Sequence, residues 1–393
     1  MKQITTIILN GGAATRMRPL SQNKLKSMIT FMGKPLLFYL LRDLKKNDFR
    51  KIILTSQGRN KEVSEYFSDG KKLGISIKYI TDTKWMGTAG TIWEILKFYG
   101  NEISDPFMVV YGDSLLKADY SKMLDFHKTK QSKCTILYHR PDFNSFLYEY
   151  HDAVFTNRGK RTNFGILNIN NNEEITKVEE KPIISTIKKN FMNPVANATV
   201  YILEKETFKR INEHIKSDFP SDFFPKLVKE KVPCFGFNVG NGYRLDIGTV
   251  GLYFSTQMAI LDKKIRFDTE LPEIEHSIWI DKSTKIKSKK NLKKPSYIGK
   301  KCLIDSGTII EHSIIGDNVC IGKNSRIINS IILDSVNIGN YTNISNSIIG
   351  EHSILGDRTL IPHNSIIGQF CNFGKMSLNI SDPKLTYLLW GRK

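Results

Sequence analysis

The C-terminal third of the chain repeats itself with a step that few folds can satisfy. Apolar residues recur at Ile298, Ile304 and Ile310, then at Ile315, Ile321 and Ile327, then at Ile332, Ile338 and Ile344. They continue at Ile349, Leu355 and Ile361, and finally at Ile367 and Phe373. The steps run six, six and five, so three positions complete a turn in seventeen residues, lengthening to eighteen in the last full turn. Glycine directly follows the apolar position at Gly299, Gly316, Gly322, Gly339, Gly350, Gly356, Gly368 and Gly374. A helical period of 3.6 cannot generate this spacing, whereas a hexapeptide β-helix does: each coil turns three apolar side chains into a prism, and stacked coils complete the core. Ile280 and Ile286 begin an earlier coil, and Lys287–Lys294, five of whose eight residues are lysine, is expected to interrupt it as a protruding, solvated loop. Beyond Gly374 the tail carries Leu385, Tyr387, Leu388, Leu389 and Trp390, which need cover from another surface.

The 393 residues exceed what one core organises, so a second domain must precede the prism. There the pattern alternates: a buried strand at Ile7–Leu9, a helix over Pro35–Lys46 and a strand at Lys51–Thr55. A short helix at Glu62–Phe67 and a strand at Ile75–Ile80 follow. Such alternation defines an α/β fold with a mostly parallel sheet, whose strand C-termini carry the ligand-binding loops. The first strand leads into Leu9–Lys26, LNGGAATRMRPLSQNKLK. Gly11 and Gly12 let backbone N–H groups approach a ligand closely, and Arg16, Arg18, Lys24 and Lys26 add positive charge within eleven residues. Backbone donors and guanidinium forks together suit a polyphosphate. The loop is neither a Walker A motif nor a dinucleotide G-x-G-x-x-G. Gly87-Thr88-Ala89-Gly90 opens a helix, and the strand Phe107–Tyr111 ends in Gly112-Asp113, where an α/β sheet binds ligands.

The whole N-terminal string resembles the signature of the sugar-1-phosphate nucleotidylyltransferases, G-G-x-G-T-R-L-R-P-L-T followed by a P-K pair. Ala14 stands for the third glycine, Met17 for the leucine, Ser21 for the threonine and Leu25 for the proline before Lys26. Alanine at that position most resembles the mannose-1-phosphate guanylyltransferase-like members. The resemblance implies a Rossmann-like nucleotidyltransferase domain with a mixed, mostly parallel sheet over residues 1–265. A linker, a left-handed parallel β-helix over about 280–374 and a tail would make up residues 266–393.

The resemblance also implies roles. Leu9, Gly11, Gly12, Ala14, Thr15, Gly87, Thr88 and Ala89 would bind the nucleotide. Gly165, Glu180, Lys181 and Asn197, in strings that match the family's sugar-side motifs, would bind the sugar phosphate. Asp113 and Asp246, the latter in Tyr243-Arg244-Leu245-Asp246-Ile247-Gly248-Thr249, would hold Mg²⁺. Arg16, Lys26 and Asp113 would be catalytic, in a direct in-line displacement at the α-phosphorus of a nucleoside triphosphate by a sugar 1-phosphate. The chain departs from the family pattern over Tyr138–Phe164, where alternation around Phe146–Tyr150 suggests a hairpin. Asp218–Leu227 matches a helix late in the family's catalytic domain.

The formal charge of +19 fits anionic substrates, nucleic acid or an acidic surface. With the resemblance it is read as serving phosphate substrates, with no nucleic-acid or membrane partner. Five scattered cysteines without C-x-x-C spacing suggest neither a disulfide framework nor a zinc site, and so a reducing cytoplasm. The N-terminal apolar run is too short for a signal-peptide core. A prism exposes flat faces and coil ends that commonly associate, so a homo-oligomer, dimer or tetramer, is expected. Two rivals stand beside this reading. One is a non-catalytic regulatory homologue, against which the presence of Arg16, Lys26, Asp113 and Asp246 counts. The other is acyl transfer by the prism through His312, His352 or His363.

Overall fold

The computed structural model describes residues 4–375 apart from 12–13, 23, 57, 59, 82–85, 141–154, 157–158, 163, 191, 212–214, 241 and 246. The expected hairpin around 146–150, the residues Gly12 and Asp246, and the apolar tail therefore lie outside the described residues. Packing divides the chain into two compact units that are not contiguous in sequence. One comprises Met1–Gly12 with Leu37–Leu245, the other Ala13–Leu36 with Asp246–Lys393. A linear cut at residue 265 would assign 13–36 and 246–265 to the first domain; here they pack with the prism.

The first unit is built on a mixed sheet. Strands β1 (Thr5–Leu9), β2 (Lys51–Ser56), β3 (Ser76–Thr81) and β4 (Phe107–Tyr111) are parallel in the order β4-β1-β2-β3. Ile7 and Ile8 are both fully buried, which is why β1 reads as an unbroken apolar run. The remaining strands are β5 (Cys134–His139), β6 (Ile166–Ile169), β7 (Ile175–Glu179), β8 (Pro194–Leu203) and β9 (Cys234–Asn238). β8 joins β4, β5 and β6 antiparallel, β7 closes the edge beyond β6, and β9 runs parallel to β5. Helices α1 (Leu36–Lys46), α2 (Asn60–Phe67) and α3 (Gly87–Tyr99) make the crossovers between the parallel strands. α1 buries Leu37, Leu40, Leu41 and Leu44 on one stripe and ends in Lys45 and Lys46, which favour the negative end of the helix dipole. The expected helix over Asp218–Leu227 is a π turn, Phe219–Phe223, continued by the α-helix Phe224–Lys229.

The second unit contains the left-handed β-helix. Its coils stack in register: Ile280, Ile298, Ile315, Ile332, Ile349 and Ile367 form one column. Ile286, Ile304, Ile321, Ile338, Leu355 and Phe373 form a second. Ile310, Ile327 and Ile344 pair in the third. These side chains make one core, each buried isoleucine contributing roughly 2–3 kcal/mol. Corners need left-handed backbone, and His312, Asn329, Asn346 and Asn364 take φ of 46°, 45°, 49° and 64° at one of them. Asparagine tolerates this region better than most residues.

One expectation is corrected. Lys287–Lys294 is not a protruding insert but the third side of the first coil. Leu292 bridges to Ile310, and the N–H groups of Lys287 and Lys293 donate to Ile304 O and Ile310 O at 3.0 and 2.8 Å. The six-residue step from Ile286 through Leu292 to Ile298 was present, hidden among the lysines. Lys287, Lys290, Lys293 and Lys294 are exposed, and Lys287 pairs with Asp305 and Lys293 with Glu311.

Segment 13–36 lies along one prism corner, beside the helix α4 (Val250–Leu261), which Thr249 caps. Tyr253 Oη donates to Thr30 O, Met32 N donates to Gln257 Oε1 at 2.9 Å, and Tyr297 Oη donates to Met32 O at 3.2 Å. At the same corner Asp334 and Glu351 both lie within reach of Thr30 Oγ1. Burial pushes Asp334 up to about 6, with Glu351 and Asp317 adding to the shift and the Asp317 N–H and Lys24 opposing it. The folded value lies above the unfolded one, so protonated Asp334 stabilises the fold below about pH 4, and that contribution is lost as pH rises through about 6. Asp334→Asn should therefore raise unfolding free energy at pH 7.5 by about 1–3 kcal/mol, and by much less at pH 4.5, in urea titrations of both proteins.

Candidate functional site

The site of the first unit forms where the strand order reverses. β1 has β2 on one side and β4 on the other, so the crevice beyond their carboxyl ends is a topological switch point. Leu9 is level with Tyr111, and Gly112 N donates to Leu9 O at 2.8 Å. Asn10-Gly11 and Gly112-Asp113 thus leave the sheet side by side. A side chain at Gly112 would come within 3.0 Å of Ile8 Cγ2 and 3.2 Å of Asn10 Oδ1, so glycine lets the two turns approach. Asn10 is 4% exposed, and its Nδ2 has no partner among the described residues. A buried donor left unmade at a sheet edge costs free energy that a ligand acceptor would recover. Sequence reasoning did not single out Asn10, although it lies inside the glycine string.

Tyr111 lies between the Gly87–Gly90 string and the strings around Gly165 and Asn197. Its phenol lies near the side chains of Thr88 and Tyr201, and burial holds it well above its ordinary pKa, with Asp218 and Glu180 contributing. Its ring meets Tyr201 edge-on at 6.1 Å. On the far side Asn197 Nδ2 donates to Tyr201 Oη at 3.1 Å, and Asn197 N donates to Gly165 O at 3.0 Å. A Cβ at Gly165 would lie 2.9 Å from Glu180 Oε2, and Glu180 pairs with Lys181 at 3.1 Å. The structure therefore brings Gly165, Glu180, Lys181 and Asn197 together. A bulge between Asn197 and Tyr201 puts Thr199 at φ 61°, where its hydroxyl lies 2.8 Å from that of Ser114, one residue past Asp113.

The Gly87–Gly90 string is held from within the chain. Thr88 N and Thr88 Oγ1 donate to Asp218 Oδ1 at 2.8 and 3.2 Å, and Ala89 N and Gly90 N donate to Ser217 O at 2.9 and 3.0 Å. Gly87 has φ 78°, and a side chain there would strike Ser217 O. Asp218 is thus the cap of a helix 130 residues earlier, a role no local spacing announces.

Ala14, Thr15, Arg16 and Lys26 belong to the second unit. Ala14 takes φ 43°, so the position where the resemblance expects glycine is indeed one of left-handed backbone. Its carbonyl accepts from Met17 N and Ser21 Oγ at 2.9 and 2.8 Å, closing the turn Thr15–Met17 that exposes Arg16. Lys26, half-buried, opens a second turn, Lys26–Met28. Asp113 is half-buried at the end of β4. No group of three or more His, Cys, Asp or Glu suited to a metal occurs among the described residues. No helix among them is long and apolar enough to cross a membrane.

Residues 5–263 match the family model described as Nucleotidyl transferase, and residues 275–378 match that of the EIF2B subunit epsilon LbH domain. A UTP--glucose-1-phosphate uridylyltransferase of Synechocystis is 26% identical over 79% of this chain and 82% of its own length. A protein of Sulfolobus acidocaldarius named "Putative mannose-1-phosphate guanyltransferase" is 28% identical over 79% and 76%. A glucose-1-phosphate adenylyltransferase of Clostridium novyi is 27% identical over 79% and 78%. With two thirds of its length inside the first match, this chain belongs to the Nucleotidyl transferase family. It is an enzyme that transfers a nucleotidyl group.

Because Asp218 supplies the N-terminal acceptor of α3, Asp218→Ala should lower unfolding free energy by about 1–2 kcal/mol in urea titration. Asp218→Asn keeps an acceptor oxygen and should lose less.

Proposed function

We propose that the enzyme forms an NDP-sugar and pyrophosphate from GTP and mannose 1-phosphate. The observation that carries the site assignment is the switch-point edge, where Asn10-Gly11 and Gly112-Asp113 emerge side by side. The choice of guanine and mannose is supported by Ala14 in the glycine string and by the likeness to the Sulfolobus protein. A second reading, glucose 1-phosphate with UTP or ATP, is favoured by the names of the Synechocystis and Clostridium relatives.

In this reading an oxygen of the sugar phosphate attacks the α-phosphorus in line, and pyrophosphate leaves from the opposite side. No side-chain nucleophile is needed. Gly11 and Gly12 bring backbone donors to the triphosphate, with Leu9, Ala14 and Thr15 framing the loop. Gly87, Thr88 and Ala89 line the nucleoside. Glu180 accepts from sugar hydroxyls while Lys181 and Asn197 donate, a division that an acceptor-only carboxylate and a donor-only ammonium impose. Arg16 balances charge growing on the leaving pyrophosphate, and Lys26 holds phosphate at the reacting centre, so catalysis is positioning plus electrostatics.

Asp113 and Asp246 would hold Mg²⁺. Hard carboxylate oxygens suit it, and because it takes only one or two carboxylates beside phosphate and water, a three-residue cluster is not required. When bound, it supplies charge neutralisation on the α-phosphate oxygens. The protein is proposed to work as a cytoplasmic homo-oligomer, with the prism as the association surface.

The substrate assignment is tested by initial rates of pyrophosphate release with GTP, UTP, dTTP, CTP and ATP, each against mannose, glucose and heptose 1-phosphates. GTP with mannose 1-phosphate should be among the best pairs; its absence from that group rejects the pair while leaving the reaction class. Separately, Asp113→Asn and Asp246→Asn should each cut kcat by roughly 10²–10³ with an unchanged circular dichroism spectrum. Near-normal turnover by either would remove that residue from the site.

A further inference from the structure

Segment 13–36, which presents Arg16 and Lys26, is tied to the prism along one ladder. Lys300, Asp317, Asp334, Glu351 and Gln369 occupy the same corner position in successive coils, two residues beyond the core isoleucines of the first column. The segment crosses this ladder in reverse order. Leu20 O accepts from Gln369 Nε2 at 3.4 Å, Lys24 forms an ion pair with Glu351, and Thr30 reaches Glu351 and Asp334 at 3.2 and 3.4 Å. Lys34, further along, feels Asp317 and Lys300.

Glu351 differs from its ladder neighbours in kind. Asp317 and Asp334 each accept from the prism backbone, Asp317 Oδ1 from Lys300 N and Asp334 Oδ1 from Asp317 N, both at 2.7 Å, while Asp334 Oδ2 also lies 3.4 Å from Thr30 Oγ1. Asp357, on another corner, does the same for Asn340 N at 2.8 Å. Glu351, one methylene longer, turns its carboxylate outward to Lys24 and Thr30 instead. Its side chain is 5% exposed, so its carboxylate has little water to replace Lys24, whose own side chain is 23% exposed. Lys24 is two residues before Lys26, and Thr30 closes the same stretch from its other side.

Apolar anchors such as Met17, Leu20, Leu25 and Met28 hold the segment down, but apolar burial is non-directional. A buried ion pair fixes direction. We propose that Glu351 is a positioning residue for nucleotidyl transfer, clamping Lys24 and Thr30 so that Arg16 and Lys26 are presented in one fixed conformation. The proposal rests on the reading that Arg16 and Lys26 handle phosphate.

The test combines steady-state kinetics with hydrogen–deuterium exchange on the full chain, using the best substrate pair from the panel. Glu351→Gln keeps the shape and the Thr30 hydrogen bond but removes the charge. Glu311→Gln, at a prism carboxylate paired with Lys293, is the control. Glu351→Gln should speed exchange over residues 15–29 while leaving that of 313–349 unchanged. It should lower kcat between about tenfold and a hundredfold, with the KM for sugar 1-phosphate moving less than about twofold. Lys24→Met should reproduce both effects, and Glu311→Gln neither. Wild-type kcat in Glu351→Gln, or a fall in kcat without faster exchange over 15–29, overturns the proposal. If Arg16→Ala and Lys26→Ala keep wild-type kcat while Glu351→Gln still loosens the segment, the phosphate reading has failed and the catalytic role of the clamp falls with it.

Discussion

The parallel register that sets Leu9 level with Tyr111 is the constraint on which the layout of the first unit's sheet edge depends. Because β1 is flanked by β4 and β2, the loops leaving β1 and β4 emerge side by side at the carboxyl edge. Gly112 keeps them close by offering no side chain to Asn10. Tyr111, the last residue of β4, then lies between Thr88, which donates to Asp218, and Tyr201, whose ring it meets edge-on and whose hydroxyl accepts from Asn197. The strings around Thr88 and Asn197, distant in sequence, thus flank one buried phenol.

Much of this was legible because the constraint that made it is periodic or local. A prism coil exposes one inward position per side, so its core repeats at a fixed step and can be counted. Leu292 escaped only because lysines surround it, although charge on an outer face says nothing about the inward residue. Ala14 was legible as a departure from glycine, and its φ of 43° shows why glycine belongs there. Asp218 and Glu351 were not legible. Each acts on a residue 130 or more positions away, and an aspartate before a phenylalanine or a glutamate after a glycine carries no local mark of a distant partner. The pairing of 13–36 with the prism was hidden for the same reason. Its polar contacts are isolated hydrogen bonds and the pairing of Lys24 with Glu351, which leave no period.

Electrostatics along the prism corner follows from stacking. The coil repeat brings Asp317, Asp334 and Glu351 into one column, and like charges at that spacing raise one another's cost of ionisation. Two of them recover part of that cost from backbone N–H groups of the preceding coil; the third does so from Lys24. The corner is therefore the place in the prism where a basic segment is best accepted. A chain with a net charge of +19 has lysines to spare for it.

The same accounting bears on how phosphate is held. In a P-loop or dinucleotide fold, a helix N-terminus points its free N–H groups at the phosphates. Here the N–H groups of Thr88, Ala89 and Gly90 at the start of α3 are already taken by Asp218 and Ser217. The chain after Gly11 runs into short turns at Thr15–Met17 and Lys26–Met28 rather than into a helix. Neither element can offer an array of unspent helical donors. In the proposed reading, charge on a triphosphate is met by side chains on those turns, with the glycine backbone as the remaining donor, and guanidinium and ammonium groups lose their geometry unless something else fixes it. Under the proposed reading that burden falls on whatever holds segment 13–36 in place, which is the role proposed for the pairing of Glu351 with Lys24.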